Sequence, residues 1–185
     1  MPNPAPTEIG WVGDASTSFG IGVIIGRRWA QFQLKREWSQ LNNQEGGIAW
    51  LETVAIRLGL SMLESLGIKQ GKTFIVWTDN TTTEGVIRKR KSKDKSTFIV
   101  WTDNTTTEGV IRKRKSKDKS VNEEWKLIQD TLVKLQADIE SRRVTSAENP
   151  ANGLSRGIRD GHEWRHVVPI EVPFDLQRHL FQVLF

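Results

Sequence analysis

The sequence predicts a single α/β domain in which a mixed sheet is covered by helices. Three short runs of β-favouring residues come first, a long helix with regularly spaced apolar residues follows, and an almost continuously apolar strand comes next. This order is typical of a sheet that carries helices on its faces. The chain has 185 residues and no cysteine, so a core of ordinary size must hold the fold without disulfides.

Structure is expected to begin near Ile9. Residues 1–8 contain three prolines and no periodic pattern, so they are predicted to be a tail or a linker. The next three β-favouring runs are separated by small residues or by an Arg-Arg turn. They predict an antiparallel meander with strands at Ile9–Asp14, Gly20–Gly26 and Trp29–Leu34.

The middle of the chain predicts a long helix and a buried strand. Ile48–Leu66 has apolar residues at helical spacing and ends before Gly67. Thr73–Trp77 is almost continuously apolar, as is typical of a parallel strand that is buried on both faces. This strand is therefore expected in the middle of the sheet.

Capping boxes predict two further helix starts, at Thr81–Glu84 and at Ser120–Glu123. The second of these helices carries apolar residues at spacings of three and four as far as Ile139. A final short strand is predicted at Arg143–Ser146. Asn149-Pro150 then places a favourable cap before a short last helix.

Twenty-four residues occur twice without a difference, at Thr73–Ser96 and Thr97–Ser120. A solenoid needs three or more diverging units, so we interpret the repeat as one tandem duplication of a strand-helix unit inside a domain. With one copy removed, the chain would have 161 residues and a net charge of +2 instead of +5. Only one copy can occupy the central strand position, and the displaced copy would expose an apolar, β-prone segment. Self-association through that displaced strand is therefore predicted.

Three carboxylates are placed where burial makes a charge costly. Asp14 ends the first strand, Glu52 lies in the apolar helix, and Asp79 or its duplicate Asp103 ends the buried strand. A buried carboxylate must be paired, protonated or bound to a cation. One Asp after a strand is more often a turn residue or a cap, but the ordered set favours a metal. Carboxylate ligands, no cysteine and only three late histidines favour Mg²⁺ or Mn²⁺ over Zn²⁺.

Four segments, in this order, resemble the ribonuclease H domain of reverse-transcriptase polyproteins from fungal retroelements. They are VGDASTSFGIGVIIG, GIAWLETVAIRLGL, IVWTDNTTTEGVI and SAENPANGLSRG, and the resemblance covers about Ile9 to Gly157. It implies an α/β fold with a ribonuclease H-like mixed five-stranded sheet, three strands antiparallel and two parallel, flanked by helices. It also implies two Mg²⁺ ions held by an Asp, a Glu, an Asp and a final Asp.

Carried over by position, the first three metal ligands are Asp14, Glu52 and the Asp of the WTDN motif, which is Asp79 or Asp103. The fourth falls on Asn152, because this chain has NPAN where the family has NPAD. An amide oxygen can bind a metal, but it brings no charge to help position a second cation. The resemblance thus implies two-metal hydrolysis of the RNA strand of RNA–DNA hybrids, impaired at Asn152.

A basic run follows the strand-helix unit in each copy. Lys and Arg side chains there would contact backbone phosphates without sequence preference. The predicted partner is an RNA–DNA hybrid or a duplex, recognised by groove shape and 2′-hydroxyls. A solvated loop or a nuclear-import patch is the alternative. The candidate nucleic-acid-binding residues are Arg88, Lys89, Arg90, Lys91, Arg112, Lys113, Arg114 and Lys115.

Two other functions stay open beside the hydrolase. Asn152 and the duplication favour a catalytically inactive, nucleic-acid-binding remnant of a retroelement polyprotein. A DNA-directed nuclease or integrase-like enzyme fits the order of the acids less well.

The domain is expected to span residues 9–160, with a C-terminal extension at 161–185. No apolar run approaches about eighteen residues, and residues 1–8 lack the features of a signal peptide. An intracellular protein without a membrane anchor is therefore expected, in the cytoplasm or the nucleus.

Overall fold

The computed structural model describes residues 5–36, 47–68, 70–79 and 119–185. The helices in these ranges are α1 (Gly47–Ser65), α2 (Lys119–Leu135) and the single turn α3 (Asn152–Ser155). Short 3₁₀ turns follow at Ser146–Glu148, Trp164–His166 and Phe174–Leu176. The strands are β1 (Thr7–Ala15), β2 (Gly20–Ile25), β3 (Arg28–Leu34), β4 (Thr73–Thr78), β5 (Asp138–Arg143) and β6 (Leu180–Gln182).

The described strands form one mixed sheet of six strands in the order β5-β4-β1-β2-β3-β6. β1, β2 and β3 are the predicted antiparallel meander, and β1 begins slightly earlier than expected, at Thr7. On the other side of β1, β4 pairs parallel to β1 and β5 pairs parallel to β4. The prediction of a central parallel strand at Thr73–Trp77 is therefore confirmed.

The strand in the central position belongs to the first of the two identical copies. Within β4, Trp77 pairs with Val12 of β1 and with Arg142 of β5. Of the second copy, only Lys119 and Ser120 are described, and they begin α2. The capping box predicted at Thr81–Glu84 lies outside the described residues. Self-association of a displaced copy stays a prediction.

Helices α1 and α2 cover one face of the sheet and bury the main core with it. Trp11, Leu58 and Ile128, from β1, α1 and α2, have no exposed surface. At Gly59, a Cβ atom would come within 2.5 Å of the Trp11 indole nitrogen. Because Gly59 has no side chain, α1 can lie directly against β1. This contact sets the distance between the sheet and the polar residues of α1.

The opposite face carries a smaller apolar cluster under α3. The cluster comprises Val12, Ile24, Trp29, Ala151 and Leu154. Packing in this cluster holds the short α3 against the meander. This face of the sheet is therefore covered by a segment that is distant from β1 in the sequence. The candidate site lies where these two covered faces meet the end of β1.

An ionic network that is buried at Glu124 and exposed at Asp175 joins three segments of the fold. The Arg57 guanidinium of α1 donates to Glu124 of α2 at 2.9 Å and to Asp175 at 2.7 Å. Burial raises the pKa of Glu124 against the opposing effect of Arg57, whereas the hydrogen bond from Arg57 lowers the pKa of Asp175. The network ties the C-terminal segment to both main helices.

The predicted end of α2 and the predicted last strand are wrong in their bounds. α2 ends at Leu135, Gln136 adopts a φ of 50°, and the N–H groups of Gln136 and Ala137 donate to Val133 and Leu132 carbonyls. This is a Schellman closure with Gln in the usual place of Gly. Ile139 therefore lies in β5, which ends at Arg143, where the predicted strand Arg143–Ser146 begins.

Residues 161–185, expected as an extension, contribute to the core and to the sheet. Val168, Leu176 and Leu180 are buried in the main core. β6 pairs antiparallel with β3 and makes the sheet six-stranded, whereas five strands were predicted. A strand of three residues is too short to show periodicity, so its sequence carries no signal of its own.

None of the helices in the described ranges is both long and apolar enough to cross a membrane.

Candidate metal centre

Two parallel strands bring two acids to the same edge of the sheet. Val12 of β1 pairs with Trp77 of β4, and Asp14 and Asp79 each lie two residues further along. The third acid, Glu52, projects from α1, which packs across β1. Ligand oxygens of Asp14, Glu52 and Asp79 lie within 4.8 Å of one another. The three acids could therefore hold a metal ion.

The acids are removed from solvent to different degrees. Asp14 is 5% exposed, Glu52 is 6% exposed, and Asp79 is half-buried. Burial raises the pKa of Asp14 to about 6, against the hydrogen bond from Ser155 and together with the charge of Asp79. Burial also raises the pKa of Glu52 to about 9, and the charges of Asp14 and Asp79 add to this rise. Three charges at this spacing require a proton or a cation among them.

The carboxylates fit a hard divalent cation. Two oxygens bound to one Mg²⁺ or Mn²⁺ at about 2.1 Å are at most about 4 Å apart, which is close to the 4.8 Å within which the ligand oxygens of the three acids lie. The part of the chain that the structure describes offers no cysteine or histidine in this cluster. An oxygen-only donor set of this kind is the one that Mg²⁺ and Mn²⁺ prefer.

Helix α3 closes the site from the second face of the sheet. The Asn149 amide donates to the Gly13 carbonyl at 3.2 Å, and its Oδ1 accepts from the Ala151 N–H at 2.9 Å. At the other end of the turn, the Ser155 hydroxyl donates to Asp14 Oδ2 at 2.6 Å. Asn149 therefore stabilises the bend that leads into α3, but the predicted start of the last helix at Pro150 is two residues early, because α3 begins at Asn152 and its N-cap is Ala151, without a side-chain capping bond.

Asn152 lies between these two contacts. Asn152 is the first residue of α3 and is three residues before Ser155, so these two residues lie on the same side of the helical turn. Its side chain is half-buried. The sequence-predicted fourth position is thus carried by the segment that is tied to β1 directly beside Asp14.

Gly22 makes the close approach of α3 possible. It is the strand neighbour of both Asp14 and Gln31. A Cβ atom at position 22 would overlap the Leu154 side chain and lie 3.0 Å from the Ala151 carbonyl oxygen. On the far side, the buried Gln31 amide donates to the Leu154 carbonyl at 2.8 Å. Asp14, Gly22 and Gln31 therefore form a row across three neighbouring strands. The two outer residues hold α3 by hydrogen bonds, and Gly22 leaves the space into which the turn packs.

The structure brings together Asp14, Glu52 and Asp79, which is one of the two sets that the sequence left open. Asp103 lies outside the described residues, and so do the basic candidates Arg88, Lys89, Arg90, Lys91, Arg112, Lys113, Arg114 and Lys115.

Sequence reasoning missed the residues that support Asp14. Ser155, Gly22 and Gln31 act through contacts between distant parts of the chain. One signal was available, because Asn149, Asn152 and Ser155 recur every three residues and indicate a polar side of the last helical turn.

No protein-family model, no curated protein and no solved structure matches this chain. The geometry of the metal centre, the topology of the sheet and the sequence motifs are what a functional proposal rests on.

Proposed function

We propose that the chain is a ribonuclease H-like domain that hydrolyses the RNA strand of RNA–DNA hybrids with divalent metal ions. The observation that carries the proposal is the convergence of Asp14, Glu52 and Asp79 within 4.8 Å of one another. They come from a strand, a helix and a strand in the order of the family that the sequence resembles. The meander of three antiparallel strands joined to two parallel strands supports the same proposal.

Asp14, Glu52 and Asp79 would hold Mg²⁺ or Mn²⁺, and Asn152 would contribute an amide oxygen beside them. Bound divalent ions would supply an activated water and would stabilise the charge that develops on the leaving 3′ oxygen. The strand ends fix Asp14 and Asp79, and the packing of α1 on β1 fixes Glu52. Because Glu52 keeps a proton in the ion-free protein, ion binding must release that proton.

The proposed nucleic-acid partner is an RNA–DNA hybrid. It is proposed because the sequence resembles ribonuclease H domains and because the chain is positively charged. The net charge is +5, and much of it lies in the two basic runs. Contacts from such runs to phosphates would be sequence-independent and would weaken as salt rises. The corresponding measurement is hybrid binding at increasing salt, where a steep loss of affinity is expected.

Asn152 favours a second candidate, a nucleic-acid-binding remnant that no longer cleaves. In the position of the fourth acid, an amide leaves the site one negative charge short for two cations. Such a protein would bind a hybrid and one metal ion without turnover.

Cleavage of a labelled RNA–DNA hybrid in Mg²⁺ and in Mn²⁺ tests the proposal. We expect the parent to cut only the RNA strand, and Asn152→Asp to cut faster because it restores the missing charge. Asp79→Asn should abolish cutting, whereas Asp103→Asn should not, since Asp79 follows the strand that lies in the sheet. The two substitutions are matched controls, because they alter the same residue of identical copies.

Each other outcome rejects a part of the proposal. Hybrid binding without cutting by either the parent or Asn152→Asp favours the remnant. Loss of cutting in Asp103→Asn alone would place the second copy in the site. Absence of both binding and cutting would refute the relationship to ribonuclease H.

A further inference from the structure

We propose that Ser155 is a positioning residue of the metal centre, whose hydroxyl holds the Asp14 carboxylate in the orientation that a divalent cation requires. Its part in metal binding stands on the geometry alone, and its part in cleavage rests on the proposed function. Ser155 has no exposed surface and lies on α3, on the opposite side of β1 from Glu52.

The hydroxyl has two acceptors within reach. Its oxygen is 2.6 Å from Asp14 Oδ2 and 2.9 Å from the Asn152 carbonyl oxygen. A serine hydroxyl donates one proton, so only one of these two contacts is a donated hydrogen bond at a time. A carboxylate is the stronger acceptor, so the donation goes to Asp14. One carboxylate oxygen is thereby fixed, and the other is left for a cation.

Several independent contacts position Ser155 beside the Asp14 carboxylate. Asn149 ties the start of the turn to Gly13, and Gln31 holds the Leu154 carbonyl, directly before Ser155. Gly22 leaves the space into which the turn packs. The backbone around Ser155 is thus held from three directions, as is required of a group that orients a metal ligand.

The competing explanation is that Ser155 only stabilises its own helical turn. Serine in a helix often donates back to a carbonyl three or four residues earlier, as the short distance to Asn152 would allow. In that case, removal of the hydroxyl would lower the melting temperature and leave metal affinity unchanged. The two explanations therefore predict different results for the same variant.

Calorimetric titration of Mn²⁺ into the parent, Ser155→Ala and Ser155→Thr tests the proposal, together with melting temperatures in EDTA. We expect Ser155→Ala to bind Mn²⁺ about 10-fold more weakly, the low end of the effect of losing an outer-shell partner. Ser155→Thr should recover part of the affinity because it keeps the hydroxyl. Ser141→Ala is the matched control, since Ser141 is 2% exposed and its hydroxyl has no hydrogen-bond partner among the described residues.

Parent-like Mn²⁺ affinity in Ser155→Ala would overturn the proposal, and so would an equal loss in Ser141→Ala. Absence of Mn²⁺ binding by the parent would overturn both this proposal and the proposed function. If affinity depends on Ser155 but no variant cuts a hybrid, the positioning role stands and the hydrolase is rejected. If the parent cuts and Ser155→Ala binds Mn²⁺ normally, only the positioning role fails.

Discussion

At the scale of single residues, the site places three carboxylates so close together that their negative charges would repel one another. Glu52 is nearly buried, and two further carboxylates lie within 4.8 Å of it. Without a cation, the folded protein relieves this by keeping a proton on Glu52, whose pKa burial raises from 4.5 to about 9. The unfolded chain releases the same proton near pH 4.5. Folding of the ion-free protein is therefore linked to proton uptake.

Glu52→Gln should stabilise the ion-free protein above pH 5. For the parent, each pH unit between 4.5 and about 9 should cost about 1.4 kcal/mol at this residue, because the folded state holds a proton that the unfolded state has lost. An amide has no such penalty. Urea unfolding in EDTA from pH 5 to 9 measures the difference, which should grow with pH and reach a few kcal/mol.

The control for Glu52 is Glu64→Gln on the same helix, where the side chain is exposed. Its stability should follow the pH dependence of the parent. In Mg²⁺ the parent should recover stability that Glu52→Gln does not, because a ligand has been removed. A Glu52→Gln curve parallel to that of the parent would contradict the buried-proton account.

At the scale of elements, the acids were predictable except for the choice between Asp79 and Asp103, and the residues that support them were not. Asp14 and Asp79 lie at the ends of two strands that are indicated by their apolar residues, and the parallel pairing of these strands brings the two ends together. Ser155 and Gly22 acquire their importance only when α3 packs on the meander, which no local pattern specifies.

The end of α2 shows the same limit of local signals. The spacing from Leu132 to Ile139 fits a helix, but Ile139 is buried by pairing between β5 and β4. Tertiary pairing therefore overrode a helical period.

Gly22→Ala should displace α3 and weaken the metal site from a distance. The new Cβ atom would overlap Leu154, so the helical turn must move away and the contact from Ser155 to Asp14 must lengthen. We expect a loss of about 1–3 kcal/mol in stability, the usual cost of overpacking, and weaker Mn²⁺ binding. Urea unfolding and calorimetry measure the two effects.

Gly13→Ala is the matched control for Gly22→Ala, because it lies next to Asp14 and its Cβ atom would be 3.7 Å from Ala55, an ordinary contact. Its stability should equal or slightly exceed that of the parent, since alanine restricts the unfolded chain. Equal losses in both variants would show that the space above Gly22 is not what places α3.

At the scale of the whole molecule, the C-terminal segment is part of the domain that holds the site. β6 extends the sheet beside β3, and Asp175 completes the ionic network with Arg57 and Glu124. Arg57 lies on α1, five residues after Glu52, so this network stabilises the helix that carries a candidate metal ligand. The sequence did not indicate this role, because the apolar residues of the segment occur in runs of at most three and form short turns and a three-residue strand.

Removal of residues 174–185 should destabilise the entire domain. The truncation deletes the buried Leu176 and Leu180, and each buried leucine is worth about 2–5 kcal/mol. It also removes Asp175 from Arg57, which leaves Glu124 as the remaining partner described for that guanidinium. We therefore expect a loss on the order of 5 kcal/mol, a marginally folded protein, and Mn²⁺ binding that falls with the folded fraction. Circular dichroism during urea unfolding and Mn²⁺ calorimetry measure these effects.

A chain lacking only Leu184 and Phe185, which are 39% and 100% exposed, is the control and should unfold like the parent. If the longer truncation also unfolds like the parent, the C-terminal segment is an appendage and the domain ends before it.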